Sequence, residues 1–387
     1  MSFAGLGGRN CTAMGSDRIR IGIVGYGWIA RAHVHALHSL NHVASLPRRV
    51  EPAAVAGRTA ERAQAFAEAL GIGRWSTRWE EVVEAEDVDV VLVATPVEAH
   101  AEPVLAALRA GKPALCEKPL GVDAAEAHEL LAAAEEAGVP HACGFNYRYV
   151  PAITLARSLV ETGALGELRH YRALYLQDYQ VLGTQTRPSH GGAGAVLDYC
   201  HLVDMLRFLA GEPTAVAGHT ATFVSPTEDQ FAALLELPAG ATATLEASRC
   251  ALGWKGHHTV ELNGSEGSLW WDMEDVNRLH VFLLRDEREG LGGFRDVLVT
   301  NPEHPFLAQW WPPGHVLGWE HAMVHQWRDF LEAVLEQRPV SDRQASFRDG
   351  YRAAVLCDAI HAAAREGRRM EIEDLVPAAA GSDMAPN

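Results

Sequence analysis

Short apolar runs alternate with helical patterns over residues 18–145. The runs are "RIRIGIVG", "VEPAAVAG", "DVDVVLVAT", "KPALCE" and "VPHACGF", and helical stretches such as "TAERAQAFAEALG" separate them. Strands that alternate with helices build a parallel sheet with helices on both faces. Strands such as "VVLVA" are apolar without a break, as expected where both faces of a sheet are covered. The pattern predicts an α/β domain over residues 18–145.

The rhythm changes after Pro151. A helix, "PAITLARSLVETG", leads into the alternating stretch "ELRHYRALYLQDYQ", and another helix is predicted near "VLDYCHLVDMLRFLAG". The segment "LLELPAGATATLEA" predicts a hairpin around Ala239 and Gly240, and "TVELNGSEGSLWWD" predicts a second strand pair. Alternating strands of this kind indicate an α+β domain whose sheet is open on one face and mostly antiparallel.

The chain is long enough for two domains. Its 387 residues exceed what one hydrophobic core usually serves. The helical pattern predicts two closing helices, at roughly 318–337 and 343–366. The predicted divisions are a disordered tail at 1–17, the α/β domain at 18–145, the α+β domain with the closing helices at 146–373, and a second tail at 374–387.

Charge and cysteine usage narrow the choice of partners and compartment. The formal net charge of −17 disfavours nucleic acid and anionic membrane surfaces, because both attract positive patches. No apolar run of about 18 residues occurs, so no membrane span is expected. The six cysteines are scattered without a C-x-x-C pair, and the first residues lack the apolar core of a secretory signal. We therefore expect a cytoplasmic protein with reduced thiols and with neither nucleic acid nor membrane as a partner.

The first predicted strand ends in "GYGWIA", which fits the G-x-G-x-x-G/A pattern of dinucleotide binding. Gly25 permits the tight turn, Gly27 lets a pyrophosphate approach the backbone, and Ala30 allows close helix–strand packing. The following helix N-terminus offers amide hydrogens to the phosphates. Together with the strand–helix alternation, this motif predicts a Rossmann domain. The loop residues expected to bind the cofactor are Gly25, Tyr26, Gly27, Trp28 and Ile29.

The end of the second predicted strand bears on the choice between NAD and NADP. An acidic residue there would bind the ribose 2′-hydroxyl of NAD, but this chain has Gly57, Arg58 and Thr59. A 2′-phosphate could be met by the Arg58 guanidinium and the Thr59 hydroxyl, which favours NADP slightly over NAD. The alternative is that Arg58 stacks on adenine or lies in solvent.

A second cofactor segment, "VATPVEAH", follows another apolar strand. It places Thr95 and Pro96 at the carboxyl edge of the sheet, where a nicotinamide ribose would lie. A plain helix cap by Thr95 is compatible with that role. His100, at the end of this segment, is also expected among the cofactor-binding residues.

Several motifs in order resemble the Gfo/Idh/MocA family, that is, the glucose–fructose oxidoreductases and inositol dehydrogenases. They are "GIVGYGWIARAH", "VLVATPVEAHAEPVLAALRAGKPALCEKPL", "GFNYRYVP", "HLVDMLRFLAG" and "NGSEGSL". The resemblance runs from Arg18 to about Glu373 and implies a Rossmann domain followed by an α+β domain. It also implies that the open sheet joins copies into a homo-oligomer, a dimer or tetramer. "YLQDYQ" and "HPFLAQWWPPGHVLGWE" are similar to the levoglucosan and inositol dehydrogenase branch.

The resemblance implies catalytic roles for the "CEKPL" motif. In the family, the lysine of E-K-P, here Lys118, lies beside the nicotinamide and binds the substrate hydroxyl that is oxidised. An ammonium group can polarise a carbonyl or stabilise a developing alkoxide in a partly dry cleft. Glu117 is implied to hold ribose hydroxyls of the cofactor. Pro119 fixes the turn, and the Lys118–Pro119 bond is expected to be cis.

The stretch "DYCHLVD" places Asp198, His201 and Asp204 along one face of a predicted helix. Histidine is a natural general base for an alcohol proton, because its pKa lies near working pH. The resemblance implies that His201 and an acidic residue complete the catalytic site with Lys118. The family aspartate usually stands four residues before the histidine, where this chain has Leu197. Asp198, three residues before, is the expected replacement and is also expected to bind substrate.

Further substrate contacts are predicted at Tyr147, Arg148 and Asp178, although each could instead be a rim or salt-bridge residue. The aromatic segment at 310–319, with its tryptophans, could stack on sugar C–H faces or pack as an ordinary core; both interpretations stay open. His321 and His325 have zinc-like spacing but no evident third ligand, so no metal is expected.

These features predict an NAD(P)-dependent oxidoreductase. It would transfer a hydride between nicotinamide and a secondary hydroxyl or ketone of a sugar, cyclitol or anhydrosugar. One alternative is a glycosidase that uses tightly bound NAD for transient oxidation and elimination. Another is a non-catalytic cofactor sensor, which the presence of Lys118 and His201 disfavours.

Overall fold

The computed structural model describes residues 17–183 and 193–372. They form two sheets with helices packed around them. The predicted tails at 1–17 and 374–387 lie outside the described residues, apart from Asp17, as does residue 373 at the end of the predicted second domain. No helix in the described ranges is long and apolar enough to cross a membrane.

The first sheet has six parallel strands in the order β3-β2-β1-β4-β5-β6. Its strands and flanking helices are β1 (Arg18–Val24), α1 (Trp28–Val43), β2 (Arg49–Ala56), α2 (Ala60–Leu70), β3 (Arg74–Ser76), α3 (Glu80–Val83), β4 (Val90–Val93), α4 (Ala101–Arg109), β5 (Ala114–Cys116), α5 (Ala124–Ala137) and β6 (His141–Cys143). Every residue of β4 is buried, because helices cover both faces. The order reverses at β1, which pairs with β2 on one side and β4 on the other, and ligands bind at such switch points. The predicted Rossmann architecture is confirmed.

The second sheet has nine strands in the order β14-β13-β12-β11-β7-β10-β9-β8-β15. Its elements are α6 (Pro151–Glu161), β7 (Leu168–Leu176), α7 (Tyr179–Leu182), α8 (Ala195–Asp198), α9 (Cys200–Ala210), β8 (Ala215–Ala221), β9 (Gln230–Glu236), β10 (Thr242–Ser248), β11 (His257–Gly264), β12 (Gly267–Asp272), β13 (Arg278–Leu283), α10 (Leu284–Arg288), β14 (Arg295–Leu298), α11 (His321–Glu336), α12 (Phe347–Glu366) and β15 (Met370–Glu371). The β7–β10 pair is parallel and the other pairs are antiparallel. Buried and open positions alternate along β9, so one face packs on the core and the other is open, as predicted.

The helix predicted near "VLDYCHLVDMLRFLAG" is broken. Tyr199, with φ −94° and ψ 25°, separates α8 from α9. Its ring is buried, and its hydroxyl donates to Gln177 Oε1 at 3.1 Å and lies 3.3 Å from the Ser248 carbonyl. Asp198 and His201 therefore lie on two short helices rather than on one continuous face.

The chain returns to the first sheet at its end. On α11, the apolar side chains of Trp327 and Phe330 share a buried cluster with Ile21 of β1 and Leu37 of α1. Helix α12 packs against both α5 and α9. The last helices therefore tie the two sheets together, and they complete the core of the cofactor half.

Candidate active site

The glycine loop between β1 and α1 fits a dinucleotide. Gly25 has φ +115°, and a Cβ there would lie 2.3 Å from the Ala94 carbonyl oxygen, so another residue is excluded. At Gly27 a Cβ would meet nothing within 4 Å, which leaves the backbone open to a ligand. Gly27 also stands at the N-cap of α1, a helix of 16 residues, and supplies no side-chain cap. The first amides of α1 are therefore available to a pyrophosphate.

Tyr26 lies on the backbone at the end of β2. A Cβ on Gly57 would come within 1.9 Å of the Tyr26 ring, so only glycine allows this contact. The Arg62 guanidinium lies 4.8 Å from the centre of the same ring. The neighbouring Arg58 and Thr59 are exposed beside it. The residues predicted to surround the adenosine end of the cofactor therefore lie together.

Trp28, Ile29, Thr95 and Pro96 stand at the same sheet edge. Trp28 is 64% exposed, Ile29 is half-buried, and the exposed Pro96 follows the half-buried Thr95. The Thr95 hydroxyl donates to the Ala99 carbonyl at 3.0 Å, whereas a helix cap would accept from a backbone amide, so the predicted cap by Thr95 is wrong. These positions agree with the predicted cofactor edge.

His100 contacts the backbone of the segment that contains Lys118 and Pro119. Its Nδ1 lies 3.0 Å from the Pro119 carbonyl oxygen and its Nε2 lies 2.9 Å from the Thr95 carbonyl oxygen. The side chain is buried, and burial lowers the pKa of His100 against the opposing effect of the Thr95 carbonyl. Both ring nitrogens are occupied by backbone, so the expected direct contact between His100 and the cofactor is wrong. The residue instead links the loop after β4 to the loop after β5.

Glu117 is held by a buried chain of hydrogen bonds. The Trp327 indole donates from Nε1 to His33 Nδ1 at 2.8 Å, and His33 Nε2 lies 2.7 Å from Glu117 Oε1. An indole can only donate, so His33 must accept at Nδ1 and carry its proton on Nε2. The Lys118 backbone amide donates to Glu117 Oε2 at 3.1 Å. Both carboxylate oxygens of Glu117 are therefore fixed from the protein side.

Lys118 and Asp198 meet across the two halves of the molecule. The Lys118 Nζ donates to the Asp198 backbone carbonyl at 3.0 Å and lies 3.8 Å from its Oδ1. The Tyr179 hydroxyl donates to Asp198 Oδ2 at 2.5 Å, and the buried Arg249 lies 4.0 Å from that oxygen. The Lys118–Pro119 peptide bond is cis, as predicted.

His201 stands in an aromatic pocket beside Lys118. Its ring packs edge-to-face on Tyr147, with ring centres 4.7 Å apart, and on Phe145 at 5.7 Å. Tyr147 in turn packs edge-to-face on His258 at 4.8 Å, and its hydroxyl lies 3.1 Å from the Tyr175 hydroxyl. The structure therefore brings the predicted residues Tyr147, His201, Lys118 and Asp198 into one region.

The charges of Lys118 and His201 are set in opposite directions. Burial alone would lower the pKa of Lys118, but the Asp198 carboxylate raises it above its ordinary value. Burial lowers the pKa of His201 well below its ordinary value, and the positive charge of Lys118 lowers it further. At neutral pH the lysine is thus an ammonium and the histidine is a neutral imidazole. A cationic donor beside a neutral proton acceptor suits the interconversion of an alcohol and a ketone.

Buried histidines make stability sensitive to acid. Burial lowers the pKa of His258 and of His325 to about 3, and that of His141 to about 4. Below a pH of about 6.5 these histidines bind protons in the unfolded chain but stay neutral in the folded protein. We expect the free energy of unfolding to fall as pH drops from 6.5 towards 4, by up to about 1.4 kcal/mol per pH unit for each histidine. Urea unfolding at several pH values measures this slope.

The control for that slope is the exposed His219. His219→Gln should leave the slope unchanged, whereas His325→Gln should flatten it. A free energy of unfolding that is constant between pH 6.5 and 5 would contradict the prediction, because carboxylates titrate mainly below that window.

Arg148 does not face the substrate region, contrary to the prediction. Its guanidinium donates to both carboxylate oxygens of Asp204, from Nε to Oδ2 at 2.9 Å and from the terminal nitrogen to Oδ1, and to Asp349 at 3.0 Å. All of its charge is therefore neutralised inside the core, where an unpaired guanidinium would be costly. Asp204, predicted to flank His201, is bound to Arg148 instead.

Asp178, predicted to contact substrate, has a role in the fold. Its Oδ2 accepts from Lys255 Nζ at 2.6 Å and from the Gly253 amide at 3.1 Å. It therefore anchors the loop between β10 and β11. Both of these donors bind Oδ2, and a substrate contact through Asp178 stays a prediction.

The tryptophans of the aromatic segment at 310–319 differ in their surroundings: one packs inside the protein and another is largely exposed. The Trp310 indole donates to His325 Nε2 at 2.7 Å and is an ordinary packing residue. Trp311 is 54% exposed. Trp319 lies next to Trp28 of the glycine loop, with ring centres 5.8 Å apart. Trp319 is thus the member of this segment that approaches the cofactor edge.

Potential metal ligands cluster away from this region. Within the described ranges, His257, Asp272 and Glu274 offer ligand atoms that lie within 4.8 Å of one another. His257 is on the face of β11 opposite His258. Exposed acidic groups often have this arrangement without an ion, and the expectation of no metal stays a prediction.

Sequence reasoning missed three residues of the site: Tyr179, Arg249 and His258. Tyr179 follows Asp178 in a stretch whose alternation predicted a strand. No pattern in the sequence indicated its contact with Asp198. Arg249 is completely buried, which charge patterns along a chain do not reveal. His258 did have a signal, because it precedes Val260 and Leu262 at the core-facing positions of an alternating strand.

Comparison with known proteins accounts for both halves of the chain. Residues 19–145 match the family described as "Oxidoreductase family, NAD-binding Rossmann fold", and residues 153–270 match the "GFO/IDH/MocA C-terminal domain". Levoglucosan dehydrogenase of Pseudarthrobacter phenanthrenivorans is 31% identical over an alignment of 390 residues. The alignment covers 90% of this chain and 97% of that enzyme.

Solved structures resemble the whole described fold. The oxidoreductase domain protein from Kribbella flavida has a TM-score of 0.86 at 38% identity, covering 92% of this chain and 99% of that chain. Levoglucosan dehydrogenase in complex with NADH and levoglucosan has a TM-score of 0.87 at 30% identity, with 92% and 99% covered. The resemblance drawn from the motifs is confirmed in both domains, and the chain belongs to the GFO/IDH/MocA family of oxidoreductases.

Proposed function

We propose that this protein is an NAD(P)-dependent dehydrogenase that oxidises a secondary hydroxyl of a sugar, cyclitol or anhydrosugar. The observation that carries the proposal is the pairing of a charged Lys118 with a neutral His201 in a buried aromatic pocket. This pair lies at the carboxyl edge of a sheet whose glycine loop fits a dinucleotide. Relatives named for sugar and anhydrosugar oxidation support the same substrate class.

The chain's own residues would divide the proton chemistry between them. The nicotinamide ring, when bound, accepts the hydride. His201 would accept the hydroxyl proton, because it is neutral at working pH. Lys118 would donate a hydrogen bond to the same oxygen as negative charge develops on it. Asp198 would keep Lys118 charged and in place, itself held by Tyr179. The aromatic walls would keep water from the reacting groups.

The experiment is a spectrophotometric assay with NAD and NADP offered separately. The panel would contain inositols, glucose-type sugars and anhydrosugars such as levoglucosan. Growth of reduced-nicotinamide absorbance with one sugar class supports the proposal. If no sugar is turned over but dinucleotide is bound to the purified protein, the result would favour the glycosidase alternative. If the protein neither turns over a sugar nor binds dinucleotide, the result would contradict both the dehydrogenase and the glycosidase.

We also propose that Arg58 and Thr59 let the protein accept NADP beside NAD. No carboxylate side chain stands at positions 57–59, and Arg58 is exposed next to Tyr26. A 2′-phosphate would thus meet a guanidinium rather than a repelling charge. The solved levoglucosan dehydrogenase complexes carry NADH, so NAD is the reference cofactor against which acceptance of NADP is measured.

Replacing Arg58 with alanine tests the cofactor proposal. We expect kcat/KM for NADP to fall by roughly 10- to 100-fold, the value of one lost charged hydrogen bond, while the value for NAD stays within twofold. The matched control is Arg62→Ala, which removes the contact with Tyr26 and should weaken both cofactors alike. Equal losses for NAD and NADP in Arg58→Ala would show that the residue stacks on adenine instead.

Location and assembly complete the proposal. The described cysteines are free, and four of the five are buried, which supports a reducing compartment such as the cytoplasm. The open face of the second sheet carries Trp270 stacked on His280 at 3.7 Å and the 53% exposed Leu234. This face is the proposed surface for a dimer or tetramer, and light scattering would give the size.

A further inference from the structure

His33 on α1 lies at the centre of a buried chain of hydrogen bonds that ends on Glu117. His33 and Trp327 have no solvent exposure, and Glu117 is 5% exposed. The Trp327 indole donates to His33 Nδ1 at 2.8 Å, and His33 Nε2 lies 2.7 Å from Glu117 Oε1. Because an indole has no acceptor, Trp327 fixes which nitrogen of His33 carries the proton. The N–H of His33 is therefore directed at the carboxylate.

Packing alone does not account for this chain. Apolar side chains of similar size would fill the space between α1 and α11 without taking a carboxylate out of water, and buried ionic groups are weak stabilisers for that reason. Space for the carboxylate is also kept on another side, because a Cβ on Gly144 would lie 2.7 Å from Glu117 Oε1. His33 of α1, Trp327 of α11 and Gly144 after β6 thus all serve the placement of one carboxylate.

The carboxylate of Glu117 keeps acceptor capacity for a ligand. Its two oxygens offer about four lone-pair sites. Among the described residues, His33 donates to Oε1 and the Lys118 amide donates to Oε2. One site is then left on each oxygen, and 7% of the side-chain surface is open to solvent. Two adjacent hydroxyl groups, such as the cis-diol of a ribose, can donate to both oxygens of one carboxylate at once.

The position of Glu117 in the first sheet assigns it to one half of the dinucleotide. The strand order reverses at β1, and the residues at the adenosine end, Tyr26 and Arg58, lie on the β2 side of that strand. Glu117 follows β5, on the other side of β1, and directly precedes Lys118. A dinucleotide that crosses the switch point brings its nicotinamide half to the β5 side. The ribose of that half is the diol that Glu117 would meet.

We propose that His33 is a positioning residue for dinucleotide binding: its N–H, held in direction by the Trp327 indole, orients the Glu117 carboxylate to accept hydrogen bonds from the ribose of the nicotinamide half. This inference rests on the proposed function, and it deepens that function by extending the cofactor site to two buried side chains behind Glu117. Without the His33 donor, the Glu117 carboxylate is free to rotate, and the ribose hydroxyls lose a fixed acceptor.

The test compares three ligands that share the adenosine and pyrophosphate groups. ADP lacks the second ribose, ADP-ribose contains it, and NADH contains it together with the nicotinamide ring. Each ligand is titrated by calorimetry against the intact protein, without sugar and therefore without turnover. For His33→Leu we expect the Kd of ADP-ribose and of NADH to rise at least roughly fivefold, the effect of one weakened charged hydrogen bond, and the Kd of ADP to stay within twofold of wild type.

Two results for His33→Leu would overturn the inference. Rises smaller than about fivefold for ADP-ribose and NADH would mean that Glu117 holds the ribose without help from His33. A rise of more than twofold for ADP would mean that the substitution disturbs the N-terminus of α1, where the pyrophosphate binds, and not the carboxylate alone.

Two further substitutions keep the result interpretable. His33→Gln retains an N–H donor close to the position of Nε2 and should bind NADH more tightly than His33→Leu does; equal affinities would contradict a role for the hydrogen bond. Trp327→Phe keeps an aromatic ring in the core and removes the indole donor, so the Kd of NADH should rise at least roughly threefold. This variant decides the matter if the His33 variants fail to fold, and a smaller rise would refute the inference.

Trp310 provides the matched control for Trp327. Its indole donates to His325 Nε2 at 2.7 Å, so Trp310→Phe removes a bond of the same kind that also involves α11. The NADH affinity of Trp310→Phe should lie within twofold of wild type. An equal loss of NADH affinity in Trp310→Phe and Trp327→Phe would count against the inference, because a general loosening of α11 would then explain both.

The two proposals fail in different ways. A wild-type protein that binds no dinucleotide overturns the proposed function and this inference with it. A wild-type protein that oxidises a sugar with a dinucleotide, while His33→Leu binds ADP-ribose and NADH as wild type does, overturns the inference alone.

Discussion

Replacing Lys118 with methionine is expected to lower kcat for sugar oxidation by roughly a thousandfold, while dinucleotide binding stays within a few-fold of wild type. The side chain keeps its length but loses the charge that would stabilise a developing alkoxide beside His201, and such groups contribute about 10²- to 10⁴-fold. Steady-state rates and a dinucleotide titration on the same preparation measure the two effects separately.

The matched control lies at the other end of the same strand. Lys112 precedes β5 as Lys118 follows it, and its Nζ donates to the Val83 and Ala85 carbonyls, at 2.8 and 2.5 Å. Lys112→Met should therefore lower the melting temperature and leave kcat nearly unchanged. A Lys118→Met variant that retained more than a tenth of the wild-type kcat would remove this lysine from the chemistry.

Replacing Arg148 with methionine should produce the largest loss of stability, about 3–5 kcal/mol. The substitution leaves the buried Asp204 without its cation, whereas Asp349 keeps Arg207 at 3.6 Å, and a broken buried ion pair costs this much. The melting temperature should fall by roughly 10 °C. At a temperature where the variant is folded, KM for the sugar should match wild type, because Arg148 does not contact substrate.

Arg172 provides the comparison for Arg148. Its side chain is 53% exposed, and its contact with Glu261 is long, at 3.4 Å. Arg172→Met should change the free energy of unfolding by less than about 1 kcal/mol. If Arg148→Met instead raised KM at least tenfold with little loss of stability, the original prediction of a substrate contact would be restored.

The sequence was most informative where burial alone decides the pattern. β4 is buried on both faces and reads as an unbroken apolar run, and β9 is buried on one face and alternates. β3 was missed because it has three residues that are largely open to solvent, and they carry no apolar signal. The break at Tyr199 was missed because the helical pattern continues through it; contacts with Gln177 and Ser248 from other elements account for it.

The site could be predicted only as far as local motifs reach. Lys118 and Asp198 came from motifs, and the structure places them together. Arg148 was misassigned because its partners lie 56 and 201 positions away in the chain, so a buried ion pair looks like a free cation in the sequence. The chain of bonds from Trp327 through His33 to Glu117 joins residues whose proximity depends on how α11 returns to the first sheet.

That return of α11 has a consequence for the protein while it is being made. Trp327 follows His33 by 294 positions, so a ribosome adding about 5–20 residues per second needs roughly 15–60 s to join them. Throughout that interval the face of α1 that packs on α11 has no cover, and the hydrogen-bond chain to Glu117 has no donor at its far end. The half of the enzyme that emerges first is therefore completed only when α11 has been made, and until then its unfinished surface is open to chaperones.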